Sequence, residues 1–374
     1  MICSVLLLLL CVAGAAASET GDRVQVTAGR PGTAVNRSVQ TGRFTIANGQ
    51  IIAPDGSVFE GRGINISDSN MRYLENPETG APFTTVFPNI SIIRLACYSY
   101  QLPAFYDRFI DAMTALGIVV IIENHQNSDR TNSGGGAGVV FTGIELSRES
   151  NWYNALAAHF ADNPYVWFGT NNEPSIRPSA AALSRWQLTT YQAIRGENGF
   201  PATNNTSVIT VSVGWGSANG GFGASSGVIP SVYAGMTNVV WDFHQYAWMY
   251  RGRDASVSTA TMASSMKRFF GELQELRSAD GVMPVIVGEY GDSTDGNVLD
   301  VSGMNLVRAV HQAGVPTMAW HWSSDYGRYD HLNSHVTGGK LTAPYGEAVA
   351  AHIQAGHGPR RSPIAGRSYG EQKR

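Results

Sequence analysis

The sequence is short of cysteine, of charge and of long apolar runs. It holds 3 cysteines in 374 residues, and Asp, Glu, Lys and Arg make up only 15% of it. Cys3 and Cys11 lie in the apolar first segment. Removal of that segment leaves Cys97 alone, so no intrachain disulfide can form. Stability must then come from a sizeable core, which a chain of this length can build. Neither sign of charge dominates: Lys and Arg number 26, Asp and Glu 29, for a net charge of -3. That excludes a basic face for nucleic acid. The apolar run from Val5 to Ala13 is too short to span a bilayer. No glycine-rich phosphate loop follows the first strand-like run, which counts against a doubly wound nucleotide-binding sheet. Gly134-Gly135-Gly136 lacks the lysine of a phosphate loop and reads as a loop at a cleft rim.

The short apolar run is followed by small residues, Gly14-Ala15-Ala16-Ala17-Ser18. This is the pattern of a signal peptide over residues 1–17, and its n-region departs from the pattern in having no Lys or Arg. The mature protein is therefore expected to be secreted, with no membrane attachment after cleavage. Residues 18–43 are polar without a period and read as a flexible leader. Residues 357–374 are basic and rich in Pro and Gly, and read as a disordered tail. Sequons stand at Asn36, Asn65, Asn89, Asn204 and Asn205. Asn65 and Asn89 fall at strand edges, where the amide is expected to be closed off.

Between leader and tail, over residues 44–356, short apolar runs alternate with helical stretches. A hairpin comes first, in Phe44 to Glu60, with a turn expected at Ala53-Pro54-Asp55-Gly56. The runs then are 61–66, 91–97, 118–123, 165–169, 207–211, 239–244, 284–289 and 316–320. Continuous apolar runs mark parallel strands buried on both faces. Amphipathic stretches at 102–116, 149–161, 179–197, 259–279 and 300–313 are the helices between them. Eight such repeats predict an α/β fold, a (β/α)8 barrel with the small N-terminal β-hairpin capping its bottom.

In such a barrel, chemistry sits where strands end. Strand two carries Arg94. Strand three runs into Glu123-Asn124-His125, and strand four into Asn172-Glu173-Pro174. Strand six ends His244-Gln245-Tyr246, strand seven Gly288-Glu289-Tyr290, and strand eight Trp320-His321-Trp322. Polar or aromatic residues at so many strand ends point to one site. Two carboxylates at the tops of strands four and seven, Glu173 and Glu289, face each other across the barrel mouth. Cleavage of a glycosidic bond needs such a pair, one to protonate the leaving oxygen and one to attack the anomeric carbon. Arg94 is a fork able to hold Glu289 ionised, and Tyr246 is a second donor to it. His125 and His244 suit sugar hydroxyls or tuning of the acid, and Asn172 suits the 2-hydroxyl. Trp215 and Trp248 offer further stacking surfaces. His331 and His335 are spaced i, i+4 but lie in a loop-like stretch, and no metal site is expected there.

This ordered set, Arg94, His125, Asn172-Glu173-Pro174, His244, Tyr246, Glu289 and a strand-eight Trp, resembles glycoside hydrolase family 5, the cellulase family of barrel-type retaining glycosidases. The resemblance spans residues 44–355. It implies that Glu173 is the acid/base, that Glu289 is the nucleophile, and that hydrolysis is a double displacement without a cofactor. It also implies a tryptophan platform on strand eight. Trp320 and Trp322 both qualify, and Trp322 is preferred because Ser323 follows it, as in the family pattern. Glu123-Asn124 before His125 departs from the acidic company expected there. The implied enzyme is a secreted endo-1,4-β-glucanase, monomeric, acting on a polysaccharide or oligosaccharide. The alternatives are a β-mannanase or other β-glycanase, a transglycosylase, and a catalytically dead barrel that only binds sugar.

Overall fold

The computed structural model describes residues 42–71, 86–126, 141–170, 172–173, 180–212, 229–250, 257–291, 301–322, 333–334 and 340–356. The chain opens with the expected hairpin, β1 (Thr45–Ala47) against β2 (Gln50–Ile52). Its turn is not the one foreseen. The strands reverse at Asn48-Gly49, with φ of 52° and 73°. Two left-handed residues give the twist a two-residue hairpin needs, and Asn-Gly supplies them at least cost. The Pro54-Asp55-Gly56 turn is a second reversal, closed by Ala53 N–H to Ser57 O at 2.8 Å and an Ile52–Val58 bridge.

The eight apolar runs are all strands. They are β3 (Arg62–Ser67), β4 (Ile92–Cys97), β5 (Val119–Asn124), β6 (Val166–Gly169), β7 (Ile209–Ser212) and β8 (Val239–Tyr246), then β11 (Val285–Gly291) and β12 (Thr317–Trp322). All pair in parallel, and β12 returns to β3 to close the barrel. Between β8 and β11 lies a two-stranded pair, β9 (Arg277–Ser278) and β10 (Gly281–Val282). It shortens the helix expected over 259–279, which runs Thr259–Gln274. The turn is anchored by Asp280, whose carboxylate accepts Asn238 N–H at 2.6 Å. Other helices are Asp107–Ala115, Gly143–His159, Ala180–Arg195, Val301–His311 and Tyr345–Gln354. The first starts later than expected because Pro103 opens a separate 3-10 turn, Pro103–Phe105. Among the sequons, Asn65 is fully buried, and Asn89 donates its amide to Gln354 O and Gly356 O. Both are closed off in that sense.

Strand alternation sorts the side chains into two cores. Outward residues such as Ile93, Leu95, Phe168, Trp241 and Val287 meet the helices. Inward residues near the strand starts form the barrel floor: Ile92, Val119, Ile121, Trp167, Val240, Ile286 and Met318. The hairpin plugs this floor with Phe44, Ile46 and Ile51. Phe44 meets Trp167 edge-on at 5.1 Å and Tyr165 at 5.3 Å. Edge-to-face contacts of this kind add to the area term. One step higher the inward positions turn polar, with Asn65, Arg94, Glu123 and Asp242, and the site begins there.

Phe44→Ala removes the ring that seals the floor. The expected loss is about 3–5 kcal/mol of unfolding free energy, read by chemical denaturation. A loss below about 1 kcal/mol would show that the hairpin is not part of the barrel core.

Candidate active site

Arg94 stands at the centre of the polar layer with no solvent exposure. Its Nη1 donates to Glu289 Oε1 at 2.6 Å and to Asn65 Oδ1 at 3.0 Å. Its Nη2 donates to Asn172 Oδ1 at 2.8 Å and lies 3.2 Å from Glu123 Oε2. Its Nε faces Asp242 Oδ2 at 3.5 Å. Burial alone would favour the neutral guanidine. Glu123, Glu289 and Asp242 outweigh it and raise the pKa of Arg94 further. The guanidinium is therefore a permanent cation inside the barrel. The layer closes around it only because β11 has no side chain at Gly288. A Cβ there would come within 1.8 Å of Asp242 Oδ1.

The two glutamates stand above this layer in different company. Glu289, at the end of β11, accepts from Arg94 on one oxygen and from Tyr246 Oη at 3.0 Å on the other. Glu173 follows β6 and is 8% exposed. Its Oε1 is 2.8 Å from His244 Nδ1. One oxygen of each glutamate and a ring nitrogen of His244 lie within 4.8 Å of one another. Burial pushes the His244 pKa down, but Glu289, Asp242 and Glu173 outweigh it and raise it to about 10. Burial pushes Asp242 up, and His244, Arg94 and the Gly288 N–H more than reverse that, leaving it below the usual carboxylate value. Three donor atoms this close could in principle hold a cation. A dication there would stand against Arg94 and the charged imidazole, so the arrangement suits proton chemistry better than metal binding.

His125 follows β5 and is fixed from both sides. Its Nδ1 is 2.9 Å from Glu123 Oε2, and its Nε2 is 3.4 Å from Asn172 Nδ2. Trp320 stacks on its ring at 5.2 Å and 14°. Tyr98, 41% exposed, leans on it at 4.9 Å. The preference for Trp322 as the platform is reversed here. Trp322 is buried in the outer core, edge-on to Phe87 at 5.7 Å, and Trp320 faces the site. The cause is a register shift of β12 against β3: Ala319 pairs with Ile64 and Trp322 with Ile66. The extra residue turns Trp322 outward, as such irregularities do. The shifted stretch holds the cis peptide Trp320-His321.

Arg94, His125, Asn172, Glu173, His244, Tyr246, Glu289 and Trp320 are thus brought together. Asp242, Asn65 and Tyr98 belong with them and were not singled out from sequence. Glu123 was noted only as a departure, yet it bridges Arg94 and His125. The signal for Asp242 and Glu123 was present: a charge inside a strand buried on both faces must be paired. Tyr345, on the last helix, also went unseen. Its hydroxyl donates to Tyr290 O at 2.9 Å and Trp320 O at 2.6 Å, tying the ends of β11 and β12. Trp215, His331, His335, residues 1–41 and residues 357–374 lie outside the described residues, as does the side chain of Trp248.

The His244 shift makes a stability prediction. Its folded pKa of about 10 is above its ordinary 6.5. Its contribution is then complete below the unfolded value and is lost as pH rises through the folded one. The thermal midpoint of the wild type should fall between about pH 7 and 10, and His244→Asn should flatten that fall. An identical slope in the variant would refute the charged imidazole.

The family model for cellulase, glycosyl hydrolase family 5, matches residues 88–326, more than half of the chain. Solved structures share the fold. The catalytic domain of a mannanase from Streptomyces sp. SirexAA-E matches with TM-score 0.62 and 17% identity, covering 88% of this chain and 97% of that one. An endoglucanase from Thermobifida fusca in complex with cellotetraose matches with TM-score 0.58 and 21% identity, covering 84% and 98%. A β-mannanase from Streptomyces thermolilacinus matches with TM-score 0.59 and 18% identity, covering 85% and 98%. No curated protein matches significantly in sequence. With most of its length matched by the family model and the barrel closed around a glutamate pair, the chain belongs to glycosyl hydrolase family 5 and is an O-glycosyl hydrolase.

Proposed function

We propose that the protein is a secreted, retaining endo-β-glycanase that hydrolyses β-1,4-glucan through a glycosyl-enzyme. One observation carries this reading: one oxygen of Glu173 and one of Glu289 lie within 4.8 Å of each other. Retaining pairs stand roughly 5–5.5 Å apart, whereas inverting pairs need about 6.5–9.5 Å to admit a water. The spacing leaves room for direct attack on the anomeric carbon and none for an intervening water.

The company of each glutamate assigns its role in this proposal. Glu289 accepts from Arg94 on one oxygen and from Tyr246 on the other, which fixes its orientation, as a nucleophile requires. Glu173 shares a hydrogen bond with His244, as an acid/base requires. Glu289 attacks the anomeric carbon while Glu173 protonates the leaving oxygen. Water then attacks the same carbon, gives a proton to Glu173, and frees Glu289. Trp320, backed by His125, offers its open face to a sugar ring. Asn172 stands beside Glu173 with its Oδ1 held by Arg94, so that its amide faces the same site as Glu173. The apolar first segment supports secretion, and the mass of the exported protein tests cleavage after Ala17.

A β-mannanase is the second reading, favoured by the likeness to mannanase structures as much as to an endoglucanase. Initial rates on soluble β-1,4-glucan and mannan separate the two. Retention is checked by NMR of the first product, which should be the β anomer. Glu289→Ala should lose nearly all turnover with folding kept. Glu173→Ala should lose about 10²–10⁴-fold on polysaccharide and far less on aryl glycosides with good leaving groups. Wild-type rates in either variant would sink the assignment, and sugar binding without turnover in the wild type would make the barrel a binding protein.

A further inference from the structure

Asp242 is a carboxylate in the middle of a strand buried on both faces, and it is 1% exposed. No step above uses it. Its Oδ2 lies 3.5 Å from Arg94 Nε on β4, and its Oδ1 lies 3.5 Å from His244 Nε2 on its own strand. The Gly288 N–H on β11 donates to it. Arg94 already has Glu123 on β5 and Glu289 on β11. The His244 ring has Glu173 on Nδ1 at 2.8 Å, with Glu289 next at 3.7 Å. Neither Asp242 Oδ1 nor His244 Nε2 has a hydrogen-bond partner within ordinary geometry among the described residues. The imidazole is therefore held with a carboxylate facing each nitrogen.

That arrangement restricts where protons can sit. A carboxylate facing a bare ring nitrogen is repelled by its lone pair, so Asp242 demands a proton on Nε2. With Nε2 occupied, one further proton serves Nδ1 and Glu173 Oε1 together, on one atom or the other. We propose that Asp242 is a positioning residue that keeps a proton on His244 Nε2, so that Nδ1 and Glu173 share the proton delivered to the leaving group. The proposal rests on the reading of Glu173 as the acid/base. In the first step the shared proton passes to the leaving oxygen, as the bond from that oxygen to the anomeric carbon breaks and the bond to Glu289 forms. A bare Nδ1 then faces a bare carboxylate, which makes the pair a stronger base. In the second step the pair takes a proton from the attacking water, whose oxygen bonds the anomeric carbon as Glu289 leaves. One proton goes out and one returns.

Asp242→Asn removes the charge and keeps the shape. Loss of a negative neighbour weakens proton binding by the pair, so the alkaline limb of kcat/KM should move down by about one pH unit or more. A purely structural role would lower the rate at all pH values and leave the alkaline limb in place, and that result overturns the proposal. The wild type supplies a test that does not depend on the variant folding. In ¹⁵N spectra of the histidine-labelled enzyme, His244 Nε2 should remain protonated between about pH 5 and 8. A bare Nε2 in that range overturns the proposal. If Glu173→Ala retains full activity, the acid/base reading itself fails. If that variant is dead while the Asp242→Asn limb stays put, only the role of Asp242 falls.

Discussion

One buried guanidinium organises this barrel mouth. Arg94 has no solvent exposure, and its charge has to be answered inside the protein. Glu123, Asp242 and Glu289 answer it from three different strands, and Asn65 and Asn172 take its remaining N–H groups. Breaking such a network by removing one member costs about 3–5 kcal/mol, because the others are left charged and dry. The network is weak evidence for stability as such, since apolar residues of the same volume would pack there at less cost. Its retention makes sense as pre-organisation: the Glu289 carboxylate is held in one place by fixed donors.

The difference between the two glutamates follows from where their strands end. Glu289 comes from β11 and reaches across the barrel to Arg94 on β4. Glu173 comes from the short β6, on the other side of the mouth, and reaches His244 instead. The same apolar surroundings thus give two carboxylates unlike electrostatic company. Retaining hydrolysis needs that unlikeness, since two equally ionised groups could not divide attack from proton delivery.

Much of this was legible in the sequence. All eight strands appear as apolar runs, because a strand buried on both faces has little choice of residue. The strand-end residues were legible because polar groups after such runs are out of place unless they serve a site. What was not legible depends on breaks in alternation. The β1–β2 turn was misplaced because Pro54-Asp55-Gly56 is the louder turn signal and Asn48-Gly49 the one that closes the paired strands. Trp322 was preferred over Trp320 because local pattern cannot show a register shift in β12. Tyr345 was invisible because its hydroxyl acts on carbonyls far away in the chain.

Those breaks are also what makes the site possible. Along β11, Ile286 points into the barrel and Val287 out to the helices. Gly288 points in again, since a Cβ there would strike Asp242. Strict alternation would then send Glu289 out among the helices, away from Arg94. The register of β11 against β8 shifts between Ile286 and Glu289, and the carboxylate turns inward. The same device in β12 leaves Trp320 on the inward side over His125 and sends Trp322 to the outer core. A regular barrel could supply a nucleophile or a platform at alternate positions, but not a glycine that admits Asp242 next to a glutamate that meets Arg94. The two irregular strands lie side by side, and Tyr345 bonds to carbonyls of both at the point where they deviate. Irregularity in β11 and β12 is therefore a positioning element of the site in the same sense as Arg94.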